Sequence, residues 1–286
     1  MKQLKIVFLN NSTKKGMDFN MSKSKFKLEC EIMDNQKIIE GIYKFTIKAP
    51  KIAEVAKAGQ FLEIQVSKTG EVFLRRPISI YNINKENGTV EFIFQVKGKG
   101  TELLATRKVG ETLDILGPLG NGTFSIDKYK KVAIIGGGIG TYPLYELAKE
   151  LKPISEEVTM YMGFRNKDLV TLEKEFEEVT DRVVITTDDG SYKQKGFALN
   201  VLKEDCEKEK PDIIFACGPL PMLKAVQAFA NENNIKCEMS LEERMGCGIK
   251  ACVGCNVRVV TENPDEVKYE YVCSDGPVFD SNRVIL

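Results

Sequence analysis

The sequence contains no histidine. That absence excludes Ser-His-Asp and Cys-His nucleophile systems, His-ligated zinc, Rieske clusters and His-ligated haem within the chain. Tryptophan is absent as well, which is uninformative. There is no excess of charge of either sign: Lys+Arg and Asp+Glu are 41 each. Nucleic-acid binding through an overall basic field therefore has no support. No apolar stretch approaches the ~20 residues needed to span a bilayer, so no membrane association is expected. The early run Ile6–Leu9 is too short for a signal peptide. No internal repeat and no low-complexity tract is found.

What is present divides the 286 residues into unlike stretches. The length alone suggests roughly two domains of about 100–200 residues. Residues 1–25 read as a loose extension, with Met21 a second plausible start and an extra strand at Leu4–Leu9 the competing reading. Residues 26–128 have a β rhythm. Tyr43, Phe45 and Ile47 alternate with polar neighbours, and Val90, Phe92, Phe94 and Val96 with mostly polar ones. Gln60–Val66 and Phe73–Tyr81 are further strands, and a helix is expected near Thr101–Arg107. Short strands at this spacing predict a small antiparallel barrel. Residues 129–235 alternate short apolar runs (Val132–Ile135, Val158–Met162, Val183–Thr186, Ile213–Ala216) with helical segments. This is the pattern of a parallel α/β sheet. Residues 236–286 form a short, cysteine-rich third unit.

Four of the eight cysteines, Cys247, Cys252, Cys255 and Cys273, read C-x4-C-x2-C-x17-C. The first three match plant-type ferredoxin spacing with a distant fourth ligand, which points to a [2Fe–2S] cluster. Such a site needs a tight loop that turns several thiolates inward, and Gly246, Gly248 and Gly254 supply backbone freedom. A structural zinc normally uses two paired knuckles, and here there is one C-x2-C. Disulfides would need an oxidising compartment, whereas a reducing cytoplasm is expected. Cys30, Cys206 and Cys237 read as small core residues.

The remaining signals are individually weaker. Arg76-Pro77-Ile78-Ser79 lies in a predicted strand, where an arginine fork suits a phosphate and Ser79 could add a hydrogen bond; an exposed strand face is the bland alternative. Lys99-Gly100-Thr101 opens a predicted helix, a place for a phosphate. Gly117-Pro118-Leu119-Gly120 reads as a turn closing the barrel. Gly136-Gly137-Gly138-Ile139-Gly140 follows a strand and opens a helix, but Thr141 stands where the dinucleotide fingerprint has its third glycine. Cys217-Gly218-Pro219 falls at a predicted C-terminal strand end, where open α/β sheets bind ligands.

In this order, these motifs resemble the electron-transfer subunit of type B dihydroorotate dehydrogenase, within the ferredoxin–NADP reductase-like superfamily. The resemblance covers about residues 26–286. It is most specific at Glu242-Glu243-Arg244-Met245-Gly246-Cys247-Gly248 and Cys273-Ser274-Asp275-Gly276-Pro277. It implies an FAD-binding barrel (26–128), an NAD-binding α/β domain (129–235) and a small [2Fe–2S] domain (236–286). It further implies that Arg76, Pro77, Ile78 and Ser79, with Ile93, Phe94 and Gln95, hold FAD, and that Gly100 and Thr101 contact its pyrophosphate. Gly138 and Gly140 would shape the nicotinamide nucleotide site. Cys217 and Gly218 would lie near the nicotinamide, and the four cysteines would ligate the cluster. The implied partner is an FMN-containing catalytic subunit that oxidises dihydroorotate to orotate in pyrimidine biosynthesis, in a heterotetramer of two subunits each. Two departures stand out: the superfamily often has a flavin-stacking aromatic where Ile78 stands, leaving Tyr81 as a substitute, and Thr141-Tyr142-Pro143 is bulky after the glycine turn.

Hydride exchange between NAD and a flavin moves two electrons, and a cluster carries one. No acid–base residue is needed for that step, so no catalytic side chain is assigned. An alternative of the same architecture is a ferredoxin/NADP or sulfide-linked reductase subunit. A stand-alone reductase of a diffusible acceptor and a non-enzymatic cluster-binding regulator are the more distant rivals.

Overall fold

The computed structural model describes residues 25–67, 69–263 and 266–286. The expected extension 1–25 therefore lies, except for Lys25, outside the described residues. Six strands close a barrel in the order β1-β2-β5-β4-β3-β6. They are β1 (Phe26–Ile39), β2 (Ile42–Lys48), β3 (Phe61–Gln65), β4 (Arg76–Asn84), β5 (Thr89–Gln95) and β6 (Thr112–Leu119). Two short helices, α1 (Pro50–Val55) and α2 (Lys99–Ala105), pack on it. The alternation read from β2 and β5 is the inward face: Phe45, Ile47, Val90, Phe92 and Phe94 are buried and form the barrel core with Leu62, Ile64 and Ile80.

Three local features differ from the sequence reading. β1 is long because it serves two neighbours, pairing with β6 up to Glu31 and with β2 from Glu31 onward. β4 begins at Arg76, three residues later than expected, and Phe73 ahead of it is exposed. Gly117-Pro118-Leu119 is not a free turn; it ends β6 and pairs with β1 and β3.

The second unit is a sheet of β7 (Lys131–Gly137), β8 (Glu157–Phe164), β9 (Arg182–Thr187), β10 (Gln194–Lys195), β11 (Ile213–Cys217) and β12 (Lys236–Ser240). Its helices are α3 (Leu144–Leu151), α4 (Glu173–Val179), α5 (Ala198–Lys208) and α6 (Leu220–Asn233). The third unit contributes β13 (Asn256–Val259), β14 (Lys268–Tyr271), β15 (Val278–Asp280) and β16 (Val284–Ile285). The large sheet runs β10-β9-β8-β7-β11-β12-β15, parallel except for the antiparallel edge strand β15. Strand and helix alternate because buried runs such as Ile213–Cys217 can only be covered by helices on both faces.

The sheet does not stop at residue 235. β12 and β15 both extend it, with Ser240 opposite Val278. The cysteine-rich stretch is thus an excursion between two adjacent strands, and β13, β14 and β16 form its own three-stranded sheet. One continuous core runs through the junction of all three units. It includes Phe61 and Leu119 of the barrel, Met239 and Phe279 of the sheet, and Cys255 and Cys273. Polar contacts close the other seams. Glu238 accepts hydrogen bonds from Ser125 N (2.9 Å) and Ser125 Oγ (2.7 Å). Buried Glu146 of α3 accepts from Ile83 N of β4 at 2.7 Å. No helix among the described residues is long and apolar enough to cross a membrane.

Candidate functional site

The arginine-led strand meets α2 at close quarters. A Cβ on Gly100 would lie 2.3 Å from Arg76 Nε, so the guanidinium rests directly on the start of the helix. Arg76 is anchored through backbone carbonyls, donating to Leu74 O (2.8 Å) and Arg75 O (3.1 Å). Its neighbour has a different task. Arg75 pairs with the mostly buried Asp114 at 2.7 Å and ties β4 to β6. Two adjacent arginines are therefore sorted into one structural ion pair and one guanidinium whose fork suits a phosphate. The Thr101 hydroxyl is already used: it accepts from Lys97 N and Gly98 N and donates to Gly98 O.

The other expected flavin residues separate. Pro77 and Ser79 lie opposite Glu63 and Phe61 in the β3–β4 ladder, while Ile78 is half-buried against the barrel core. Phe94 is turned into that core, stacked on Tyr43 at 5.9 Å, and offers its backbone rather than its ring. Ile93 faces the seam with the parallel sheet. Tyr81 cannot supply the stacking aromatic. It is buried against Tyr145 of α3, ring centroids 4.6 Å apart, because its side of β4 is the side that packs on the second unit.

Gln95 instead opens onto a cleft of about 1070 Å³ between the barrel and the C-terminal ends of the parallel strands. Gly138, Gly140 and Gly218 line it, together with Arg165 after β8 and Asp188 after β9. The glycine turn is built for close approach: a Cβ on Gly140 would fall 2.6 Å from Cys217 O and 2.7 Å from Gly218 N. These contacts are backbone and cannot yield. Cys217 lies beneath the floor, not in the cleft; it is fully buried, and burial drives its thiol far above the ordinary range. Tyr142, the bulky departure after the glycines, forms part of the wall, with its hydroxyl 3.2 Å from Thr171 Oγ1. Sequence reading missed Lys97, Phe197 and Leu286 as lining residues. Exposed Phe197 carries no motif, and the other two are brought in only by the three-dimensional packing.

The four motif cysteines come together as two pairs. Cys252 N donates to Cys247 Sγ (3.3 Å), and Cys273 N donates to Cys255 Sγ (3.4 Å). Cys247 and Cys252 are the outer pair, Cys255 and Cys273 the buried pair. This two-and-two grouping of thiols fits a [2Fe–2S] cluster. Further amides point at sulfur: Ile249 N reaches Cys247 Sγ (3.5 Å) and Lys250 N reaches Cys273 Sγ (3.3 Å). The loop achieves this through left-handed residues at Gly248 (φ +69°), Lys250 (φ +65°) and Val253 (φ +51°). Lys250 is pinned across the site by Asp275 at 3.1 Å and lies over the Tyr271 ring. Cys30, Cys206 and Cys237 are buried elsewhere, as expected.

A closed barrel followed by a parallel sheet with a glycine turn at the cleft, carrying a four-thiol excursion on the sheet edge, defines an iron–sulfur flavoprotein of the ferredoxin reductase-like fold. Residues 29–124 match the family described as an oxidoreductase FAD-binding domain, and residues 134–228 an oxidoreductase NAD-binding domain. Residues 242–285 match the iron-sulfur cluster binding domain of dihydroorotate dehydrogenase B. The chain is 40% identical over 258 residues to the dihydroorotate dehydrogenase B (NAD(+)), electron transfer subunit of Bacillus cereus (strain G9842), covering 89% of this chain and 97% of the relative. It is 39% identical to the protein of that name from Geobacillus sp. (strain WCH70), covering 90% and 98%. Among solved structures, a chain of an NADH-dependent reduced ferredoxin-NADP oxidoreductase superposes with a TM-score of 0.79 at 33% identity, covering 90% of this chain and 89% of that one. The chain belongs to the family of dihydroorotate dehydrogenase B electron transfer subunits.

Proposed function

We propose that this chain passes electrons between NAD and an FMN-containing catalytic subunit that oxidises dihydroorotate to orotate, through FAD and a [2Fe–2S] cluster. The observation that carries the reading is the pairing of the four cysteines against the outer face of a flavin-type barrel, in a chain of this family. When bound, the flavin exchanges a hydride with the nicotinamide and the cluster carries single electrons. The residues supply binding and positioning. Arg76 grips a phosphate of FAD where Gly100 leaves space for its guanidinium. The backbone around Pro77, Ser79 and Phe94 and the half-buried Ile78 would line the flavin site. Gln95, Gly138, Gly140 and Gly218 shape the cleft for the dinucleotide. Cys247, Cys252, Cys255 and Cys273 would hold the cluster, and the amides that reach Cys247, Cys255 and Cys273 would temper the charge on their sulfurs.

The proposed division is an FAD domain (26–128), an NAD domain (129–235) and a cluster domain (236–286), the last sharing its first strand with the NAD sheet. The proposed assembly is a heterotetramer of two chains of each kind in the cytoplasm. Anaerobic purification with iron, sulfide and flavin assays tests the reading. About two irons, two sulfides and one FAD per chain are expected. Zinc without sulfide, or no flavin, overturns it. The structural likeness to the ferredoxin-NADP oxidoreductase chain favours a second reading, an electron-transfer subunit serving ferredoxin. Dihydroorotate-dependent NAD+ reduction, present only when the FMN subunit is added, separates the two.

A further inference from the structure

Glu63 is the one residue of β3 whose place makes no sense for stability alone. It sits mid-strand and is 1% exposed, and neither carboxylate oxygen has a hydrogen-bond partner. A buried, unpaired carboxylate is costly and is tolerated only for a reason. Its surroundings suggest one. Its ladder neighbours are Pro77 in the flavin-type strand and Leu116 of β6. Its side chain points out of the barrel, against the cysteine loop. A Cβ on Gly248 would lie 2.7 Å from Glu63 Cγ and 3.0 Å from Oε1, and φ at Gly248 is +69°. Gly248 directly follows Cys247. The carboxyl is therefore wedged between the flavin strand and the cluster loop.

The charges facing it are few. From the start of β4 comes Arg76 and from the residue before it Arg75, but the Arg75 guanidinium is bound to Asp114 and to backbone carbonyls, including that of Glu63 itself. Arg76 is bound to Leu74 and Arg75 carbonyls. From β6 comes Asp114, itself paired with Arg75 and Lys27. From the cluster segment comes Gly248, which carries no charge. Burial raises the carboxyl to about 7, with Arg75 and Arg76 opposing only in part.

We propose that Glu63 is a proton-coupling residue: it takes up one proton when an electron enters the cluster and gives it back when the electron leaves. The inference rests on the proposed cofactor content. The step balances simply. One electron, from NADH by way of the flavin or from the partner subunit, reduces the cluster. One proton from solvent forms the O–H bond of Glu63, and no other bond changes. The physical cause is charge. An added electron next to a poorly solvated carboxylate raises its proton affinity, and a neutral acid beside the loop in turn favours the electron. A hydride brings a proton with its two electrons while a cluster accepts electrons only, so a protonatable group between the two sites is where such coupling is useful.

The test is a redox titration of the purified protein carrying FAD and cluster, following the cluster's own spectroscopic signal, repeated from about pH 5 to pH 9. The cluster potential should fall with rising pH through neutrality and level off at both ends. In Glu63→Gln, which keeps the shape and cannot exchange a proton, the potential should be flat over the same range. A flat profile in the unaltered protein, or an unchanged slope in the variant, overturns the proposal. Should the variant fail to load its cluster, a reduced-minus-oxidised infrared spectrum of the unaltered protein decides: a protonated carboxylic carbonyl band must appear on reduction, and its absence overturns the proposal. A preparation without FAD or sulfide would instead defeat the proposed function, so the two failures are distinguishable.

Discussion

At the scale of single residues, Arg75 and Arg76 show how neighbours with identical chemistry acquire separate roles. Arg75 is spent on Asp114, and Arg76 lies over Gly100. Replacing Arg76 by Ala removes a charge-assisted contact worth about 1.5–3 kcal/mol, so FAD affinity should drop about 10–100-fold by fluorescence titration, with the fold intact by circular dichroism. Arg75→Ala should instead lower thermal stability, because it leaves the buried Asp114 with only the exposed Lys27 as a partner. Glu63 gives a stability prediction of opposite sign. Its folded-state proton affinity is raised, so its contribution is fully present below the ordinary glutamate range and is lost as pH climbs to about 7. Glu63→Gln escapes that loss. It should be more stable than the parent by up to about 3 kcal/mol at pH 8 in chemical denaturation, with the difference shrinking toward pH 5. Thiol spacing and a guanidinium singled out the cysteines and Arg76 in the sequence, and in the structure the four thiols group in pairs and Arg76 lies over Gly100. Glu63 was not legible, because a glutamate in an alternating strand looks like a solvent-facing one until the loop that covers it is placed.

At the scale of elements, α3 and β4 form a clasp between barrel and sheet. Glu146 accepts from Ile83 N, and Lys149 Nζ donates to Glu146 (2.6 Å), to Asn82 Oδ1 (2.6 Å) and to Ile83 O (2.9 Å). Glu146→Ala leaves a buried amide without its acceptor and should cost about 2–4 kcal/mol by denaturant unfolding. The same strand carries Arg76 at its other end, so a looser clasp should also raise the FAD off-rate. Most elements were readable from period alone: β2 and β5 largely alternate, and the core strands β7, β8 and β11 carry short apolar runs. β1 was only half so: Phe26, Leu28, Cys30 and Ile32 alternate with charged residues, but register shifts at Ile32/Asp34 and Lys37/Ile39 break the period in its second half. The start of β4 was misjudged because Phe73 and Leu74 have strand-forming side chains yet remain exposed. Tyr81 was misassigned for a related reason: its face of β4 is set by what packs there, the rings of α3.

At the scale of the whole molecule, the three units share one core and cannot be independent beads. Cys255 and Cys273 pack in the same cluster as Phe61 and Leu119, so removing the iron with a chelator should lower the melting temperature of the whole chain in one transition, as calorimetry would show. The order of units was legible from the change of rhythm along the chain. The seam at 235 was less so, because β12 belongs to the sheet by hydrogen bonding and to the cysteine segment by sequence. That seam has a practical side. Ser240 and Val278 face each other in adjacent antiparallel strands, so everything between them leaves and returns at one spot. In effect the metal-binding stretch is an insertion with a single point of entry and exit, and any replacement for it must also refill the core that Leu241, Cys255 and Cys273 share with Phe61 and Leu119. The same two anchor points would accept a different redox insert, which makes this edge a natural place to rewire where the electrons go.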